Sequence, residues 1–188
     1  QEAKFTREAK VNLVTGEVTY GDWTPAQDLV EVKSPVVKGY LADKASVAVV
    51  NVTGDSEDIK EVVTYKPLGS WVPNIPGQPT DPIKYPNNPT DPTQPGTDKP
   101  VLPYVPGMTP KDGNGQPLKP VDPQDPTKGY IIPDIPNDPT QSTPINYEKD
   151  TQKAKTIFVD EKGNPIPGVD AITEEGDSDT PLTKEADV

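Results

Sequence analysis

The sequence predicts a mainly β protein in three segments: a small antiparallel β module, a long proline-rich extended linker, and the opening strands of a further β module. Residues 1–66 hold short alternating apolar and polar runs separated by turn residues, which is typical of strands. Residues 67–144 carry 21 of the 26 prolines. Long apolar runs with helical periodicity are absent from the sequence, so we expect little helix.

The first segment opens with a predicted hairpin. Phe5–Leu13 alternates, Thr15-Gly16 interrupts it, and Glu17–Trp23 follows with Val18 and Tyr20 on one face. Gly16 supplies the positive φ that such a turn needs. Further short strands are predicted at Val30–Lys33, Ser46–Val52 and Ile59–Tyr65, with a turn at Ala42-Asp43-Lys44. A module of this size buries roughly 60% of its unfolded-chain surface, which is marginal but sufficient for folding.

The second segment, residues 67–144, has a proline every three to four residues. Each proline fixes φ, removes a backbone donor and pushes the preceding residue into the extended region. Polyproline II or coil is therefore expected, reaching about 240 Å if fully extended. Asp-Pro-Thr recurs at 91–93, 125–127 and 138–140. The PxxP repeats could serve as ligands for SH3-type domains, but a spacer is the preferred interpretation.

Composition excludes several classes of function. The net charge is −12 and the pI is near 4.4, which argues against nucleic acid and anionic membranes as partners. Neither cysteine nor histidine is present, which removes thiolate nucleophiles, the commonest general base and most zinc sites. Carboxylates are abundant, but the segments offer little concavity for a catalytic pair. We therefore expect no enzymatic activity and no cofactor.

Two acidic clusters, Asp55–Asp58 and Glu174–Asp179, could offer oxygen ligands to Ca²⁺. Neither cluster has the closing Glu at EF-hand spacing. Solvated turns are the favoured interpretation, and no metal site is predicted.

Three aromatic residues, Trp23, Tyr20 and Tyr40, are the candidate ligand-binding side chains. Aromatic faces beside Asp or Arg suit stacking on sugar rings. The alternative is that both tyrosines are half-buried packing residues, because aromatics dominate small β cores. Trp23, at a strand end beside Pro25, is expected to be the most exposed platform.

The run TREAKVNLVTGEVTYGDWTPA, followed by EVKSPVVKGYLADKASVAVVNV and EVVTYKP, resembles the mucus-binding (MucBP-type, Mub) repeats of lactic-acid-bacterial adhesins. The matching positions include Arg7, Leu13–Gly16, Trp23, Ser34-Pro35, Gly39-Tyr40, Asp43 and Val63–Tyr65. The resemblance covers about a third of the chain and implies a small β-grasp-like fold. Family repeats begin with an I-x-Y-x-D-x-x-G strand that this block lacks. Residues 155–164 are similar to that strand, so residues 145–188 are expected to begin a following, truncated repeat.

The resemblance implies a non-catalytic cell-surface adhesin segment that binds mucin glycans or other host extracellular glycoproteins. The parent would be a multi-repeat protein anchored to the cell wall of a Gram-positive bacterium, with this segment monomeric. The alternative is a structural spacer that projects binding modules located elsewhere in the parent protein. The predicted division is residues 1–66 for the module, 67–144 for the linker and 145–188 for the next repeat.

Overall fold

A computed structural model describes residues 1–181 and confirms a mainly β protein, with no α-helix among those residues. The chain divides into two compact units. Unit 1 consists of Gln1–Leu68 and Pro86–Thr97, and unit 2 of Gly69–Tyr85 and the described residues from Asp98 onward. No helix in the described part of the chain has the length and apolar character needed to cross a bilayer.

Unit 1 is built from four two-stranded antiparallel sheets, pairing β1 with β2, β3 with β7, β4 with β6, and β5 with β8. The eight strands are β1 (Arg7–Val11), β2 (Val18–Trp23), β3 (Gln27–Leu29), β4 (Val32–Lys33), β5 (Tyr40–Ala42), β6 (Ser46–Val47), β7 (Val50–Val52) and β8 (Tyr65–Pro67). The β-grasp-like arrangement is not confirmed.

The predicted first hairpin is confirmed as the β1–β2 pair. Its turn is closed by the Gly16 N–H, which donates to the Asn12 carbonyl at 2.7 Å. Gly16 has φ +74°, a conformation that other residues adopt only at a cost. The Asn12 carboxamide oxygen also accepts the N–H groups of Val14 and Thr15. Glycine and asparagine therefore define the turn together, as their preferences predict.

Strands β3 and β4 pair with β7 and β6 in one continuous register. Gln27 lies opposite Val52, and Lys33 lies opposite Ser46. The two short sheets are thus halves of a single interrupted hairpin. The predicted strand Ser46–Val52 is consequently broken, and Val49 is 55% exposed instead of buried. The predicted strand Ile59–Tyr65 is wrong, because strand pairing begins only at Tyr65.

Part of the proline-rich stretch completes unit 1. The Asn87 side chain accepts the Gly39 N–H at 2.7 Å and donates to the carbonyls of Val37 and Tyr40. The Ala42 N–H donates to the Pro92 carbonyl at 2.8 Å. These bonds satisfy backbone groups of the 37–42 region that its partner strand does not reach. The buried core of unit 1 is small and consists of Leu41, Ala42, Val52 and Leu68.

Unit 2 is organised around a four-stranded mixed sheet in the order β10–β9–β14–β12. Strand β14 runs parallel to β9 and antiparallel to β12. Two smaller pairs, β11–β13 and β15–β16, accompany it. The strands are β9 (Ser70–Asn74), β10 (Ile83–Lys84), β11 (Val101–Leu102), β12 (Met108–Lys111), β13 (Tyr130–Ile131), β14 (Thr143–Lys149), β15 (Thr151–Thr156) and β16 (Ile172–Asp177).

The core of unit 2 comes largely from the stretch that was predicted to be extended linker. Its largest fully buried side chains include Trp71, Tyr85, Leu102, Ile132 and Tyr147. Fully burying one such apolar side chain stabilises a fold by roughly 1.5–3 kcal/mol. An extended solvated coil has no such core. The prediction of extended coil from Pro67 to Pro144 is therefore corrected: within that stretch, Gly69–Tyr85 and residues 98–144 are folded in unit 2, and Pro86–Thr97 belong to unit 1.

The prolines are compatible with this fold because their carbonyls remain acceptors. The Trp71 indole N–H donates to the Pro133 carbonyl at 3.0 Å, and the Tyr147 hydroxyl donates to the Pro103 carbonyl at 2.7 Å. Pro110 lies in β12, an edge strand of the sheet, where a missing backbone donor costs little. The prolines thus restrict the backbone while the residues between them build the core.

Each of the three Asp-Pro-Thr repeats forms a turn. In all three, the aspartate Oδ1 accepts both the backbone N–H and the hydroxyl of the threonine two residues later, at 2.5–3.2 Å. The aspartates are Asp91 in unit 1, and Asp125 and Asp138 in unit 2. Side-chain bonds of this kind replace backbone bonds that proline cannot donate. The repeated tripeptide is therefore a folding signal.

The end of the described chain forms the β15–β16 hairpin. Its loop contains a turn in which the Asp160 carboxylate accepts the N–H groups of Lys162 and Asn164. Residues 145–149 belong to strand β14, so the unit 2 sheet extends across the predicted boundary at residue 145. That residues 145–188 begin a following repeat stays a prediction. Residues 182–188 lie outside the described residues.

Candidate functional site

A β-bulge in the first hairpin brings two of the three predicted site residues together. Arg7 lies opposite Trp23, and Ala9 lies opposite Tyr20. Between these pairs β1 has one residue and β2 has two, Gly21 and Asp22, so β2 contains one inserted residue. In a regular strand, side chains three residues apart point to opposite faces. The inserted residue reverses this phase. Tyr20 and Trp23 therefore share one face of the hairpin with Arg7.

Arg7 contacts both aromatic rings on this face. Its guanidinium carbon lies 4.0 Å from the centroid of the Tyr20 ring and 4.4 Å from that of the Trp23 ring. Cation–π contacts of this length are worth about 0.5–1 kcal/mol at exposed sites. Arg7 is the only arginine in the sequence. Within residues 1–181 its guanidinium has no ion pair or hydrogen bond to the protein, so its five N–H donors remain available to a ligand.

Trp23 is anchored to the polar turn that follows β7. Its indole N–H donates to Asp55 Oδ1 at 2.7 Å. Gly54 lies directly against the ring, where an added β-carbon would come within 2.3 Å of Trp23 Cδ2 and Cγ. Only glycine permits this close approach. The turn and the hairpin therefore hold the indole in place, and with it the surface on which Arg7 stacks.

A cavity of about 460 Å³ adjoins this turn, and Gly54 forms part of its lining. Its apolar lining consists of Ala3, Phe5, Leu29, Val52 and Ile59, and its charged side chains are those of Glu2, Glu57 and Asp58. No Lys or Arg lines it. The site thus combines one cationic aromatic face with a neighbouring acidic cavity in the same unit.

Tyr40, the third predicted site residue, lies in the separate β5–β8 sheet. Its side chain is 44% exposed, and its backbone carbonyl accepts the Asn87 carboxamide. The structure does not bring it to the Arg7 face. Only Tyr20 and Trp23 form a shared cluster.

The exposure of the three aromatic side chains differs from expectation. Tyr20 is 58% exposed, whereas Trp23 is partly buried. Trp23 is therefore not the most exposed platform, because Gly54 and Arg7 cover its ring. Tyr20 is more exposed than a half-buried packing residue would be, whereas Tyr40 is about half-buried. Arg7 was not among the predicted site residues; the signal for it in the sequence is that it is the only arginine.

The first acidic cluster, Asp55–Asp58, shows local turn bonding, whereas residues 174–177 of the second cluster lie in strand β16 and not in the predicted solvated turn. Asp55 is engaged by the Trp23 indole, and the Ser56 hydroxyl accepts the Thr53 N–H at 2.9 Å. Across residues 1–181, no group of three or more Asp, Glu, His or Cys residues is arranged to hold a metal ion.

Comparison with known proteins identifies the first part of the chain. Residues 1–69 match the family model described as the Muc B2-like domain. No curated protein and no solved structure matches the chain. The matched family is one of mucus-binding repeats and not a family of enzymes, and it suggests an extracellular surface protein. Residues 1–69 of the chain, the segment that contains the Arg7 face, are thus similar to the Muc B2-like domain, consistent with a mucus-binding repeat.

Proposed function

We propose that this chain is a non-catalytic adhesin segment that binds the glycans of host mucus glycoproteins, with other host extracellular glycoproteins as related ligands. The parent protein is a multi-repeat surface protein anchored to the cell wall of a Gram-positive bacterium, and this segment acts as a monomer. The observation that carries the proposal is the stacking of the only arginine on Tyr20 and Trp23 within the Muc B2-like domain.

The chemistry of this face suits a sugar. The exposed Tyr20 ring offers an apolar surface to sugar C–H groups, and its hydroxyl is a donor and acceptor. The Arg7 guanidinium, held by the two rings, presents several donors to sugar oxygens. Since the rings pre-position Arg7, less side-chain entropy is lost on binding. In this arrangement Trp23 is a positioning residue, and Tyr20 and Arg7 make the contacts.

Surface plasmon resonance on immobilised mucin tests the proposal with the full chain. Tyr20→Ala removes the exposed ring and Arg7→Lys keeps the charge but removes the planar fork. Each variant is expected to weaken binding about tenfold, the equivalent of about 1.4 kcal/mol. Tyr104→Ala, which removes a partly exposed tyrosine of unit 2, is the control and should bind like the wild type.

A structural spacer is the second candidate, and the folded state of unit 2 favours it. The core around Trp71, Tyr85 and Tyr147 makes the proline-rich region a compact body, which can separate neighbouring modules without binding anything. Mucin binding at background level for both the wild type and the Tyr20→Ala variant would support the spacer and contradict the adhesin.

A further inference from the structure

Unit 2 contains a polar pocket without charged groups. It has a volume of about 320 Å³ and lies at the end of β9, beside the middle of β14. Its polar lining consists of Asn74, Gln78, Thr80 and Asn146. The remaining lining is apolar, and no charged side chain takes part, although 26% of the residues in the chain are charged. The pocket therefore disfavours charged ligands, because its lining offers them no side chain of opposite charge.

Two asparagines form one wall of the pocket. Asn74 and Asn146 are register partners in the parallel β9–β14 pair. The Asn74 amide donates to Asn146 Oδ1 at 2.9 Å. This bond fixes both side chains and leaves Asn74 Oδ1 and the Asn146 amide without a partner in the described residues. The wall thus presents one fixed acceptor and one fixed donor.

A tight turn supplies the third amide. The Gln78 N–H donates to the Ile75 carbonyl at 3.1 Å, and Gly77, between them, has φ +76°. Pro76 and Gly77 are the residues that such a turn favours at its two central positions. The turn leaves the Gln78 side chain exposed at the pocket. The Thr80 hydroxyl donates to the Pro73 carbonyl, so its oxygen can still accept.

We propose that this pocket binds a neutral saccharide unit. Neutral amides donate and accept at once, which matches the hydroxyl or acetamido groups of an uncharged sugar. A purely apolar ligand would leave the pocket's amides without partners, at a cost for each group. The side chains of Ile75 and Pro76 provide apolar contact for the sugar C–H groups. The site is separate from the Arg7 face, because it belongs entirely to unit 2.

Nuclear magnetic resonance on the isotope-labelled full chain tests this proposal. Titration with N-acetylgalactosamine is expected to shift the side-chain amide signals of Asn74, Gln78 and Asn146, whereas glucuronate should not shift them. Gln78→Ala, a substitution at an exposed side chain, should weaken binding about tenfold. Asn137→Ala, also at an exposed asparagine of unit 2, is the matched control and should bind like the wild type.

Three results would overturn the proposal: amide signals that stay fixed at tens of millimolar sugar, equal shifts with glucuronate, or wild-type affinity in Gln78→Ala. A Trp23→Ala chain, altered only in unit 1, separates the two sites. It should keep the amide shifts of unit 2, and their loss would show that unit 2 has no independent site.

Discussion

Trp71 and Tyr85 meet edge to face, with ring centroids 4.6 Å apart and ring planes at 78°. Both residues lie in the proline-rich stretch, and both are almost completely buried. The Tyr85 hydroxyl is 2.7 Å from the Thr143 hydroxyl, so the pair also links β9 and β10 to the start of β14. This contact distinguishes a folded unit 2 from an extended stalk.

Truncation of Trp71 should unfold unit 2. Trp71→Ala removes the largest buried side chain, and changes of this type cost about 3–5 kcal/mol. Hydrogen exchange of the Ile145 and Tyr147 amides, compared with the wild type, measures the effect. Tyr104→Ala, at a partly exposed position, should leave their protection nearly unchanged. Rapid exchange of these amides in the wild type would mean that the stretch is an extended coil after all.

A β-carbon at position 54 should displace the Trp23 indole. Because the added carbon would lie 2.3 Å from the ring, Gly54→Ala is expected to destabilise unit 1 by about 1–3 kcal/mol, as overpacking does. Urea unfolding followed by tryptophan fluorescence measures the change. The control is Gly21→Ala, whose added carbon would meet Glu8 Cβ at an ordinary 3.7 Å. Equal effects of the two substitutions would contradict the close contact.

Stability in alkali should depend on Tyr147. Burial raises the pKa of its hydroxyl to about 12, above the value of about 10 for an exposed tyrosine. The stability that the buried, neutral Tyr147 hydroxyl contributes is therefore complete below pH 10. It is lost as the pH rises toward 12, because Tyr147 ionises first in the unfolded state. Urea unfolding between pH 9 and 12 should show a steeper loss of stability in the wild type than in Tyr147→Phe. Parallel curves would contradict this.

Acid should weaken the Asp-Pro-Thr turn of unit 1. The hydroxyl and N–H of Thr93 lower the pKa of Asp91 below its ordinary value of 3.8. A lowered pKa means that the turn's contribution is present above pH 3.8 and is lost as the pH falls through the folded-state pKa. Thr93→Val, which removes the hydroxyl, should raise the pKa of Asp91 in a carboxyl-carbon magnetic resonance titration. Thr97→Val is the control, and an unchanged Asp91 pKa in Thr93→Val would refute the role of the hydroxyl.

The parts of the fold that the sequence predicts are those governed by local rules. The Gly16 turn and the first hairpin around it follow from turn chemistry and alternation. Two features depend on tertiary structure and escape such rules. Prolines show where backbone hydrogen bonding between strands is interrupted. The spacing of prolines does not show whether Trp71 and Tyr85 pack against each other in a core. The spacing of Tyr20 and Trp23 places them on opposite faces of a regular strand. Only the pairing of Arg7 with Trp23 in the structure reveals the bulge that brings them to one face.

The two tryptophans of the chain, Trp23 and Trp71, permit the most direct test of the proposed adhesin function. Their indole N–H signals can be followed in one titration of the labelled chain with glycans released from mucin. We expect the Trp23 signal to shift, because its ring supports Arg7, while the signal of the buried Trp71 stays fixed. A fixed Trp23 signal at saturating glycan, or equal shifts of both indoles, would contradict binding at the Arg7 face.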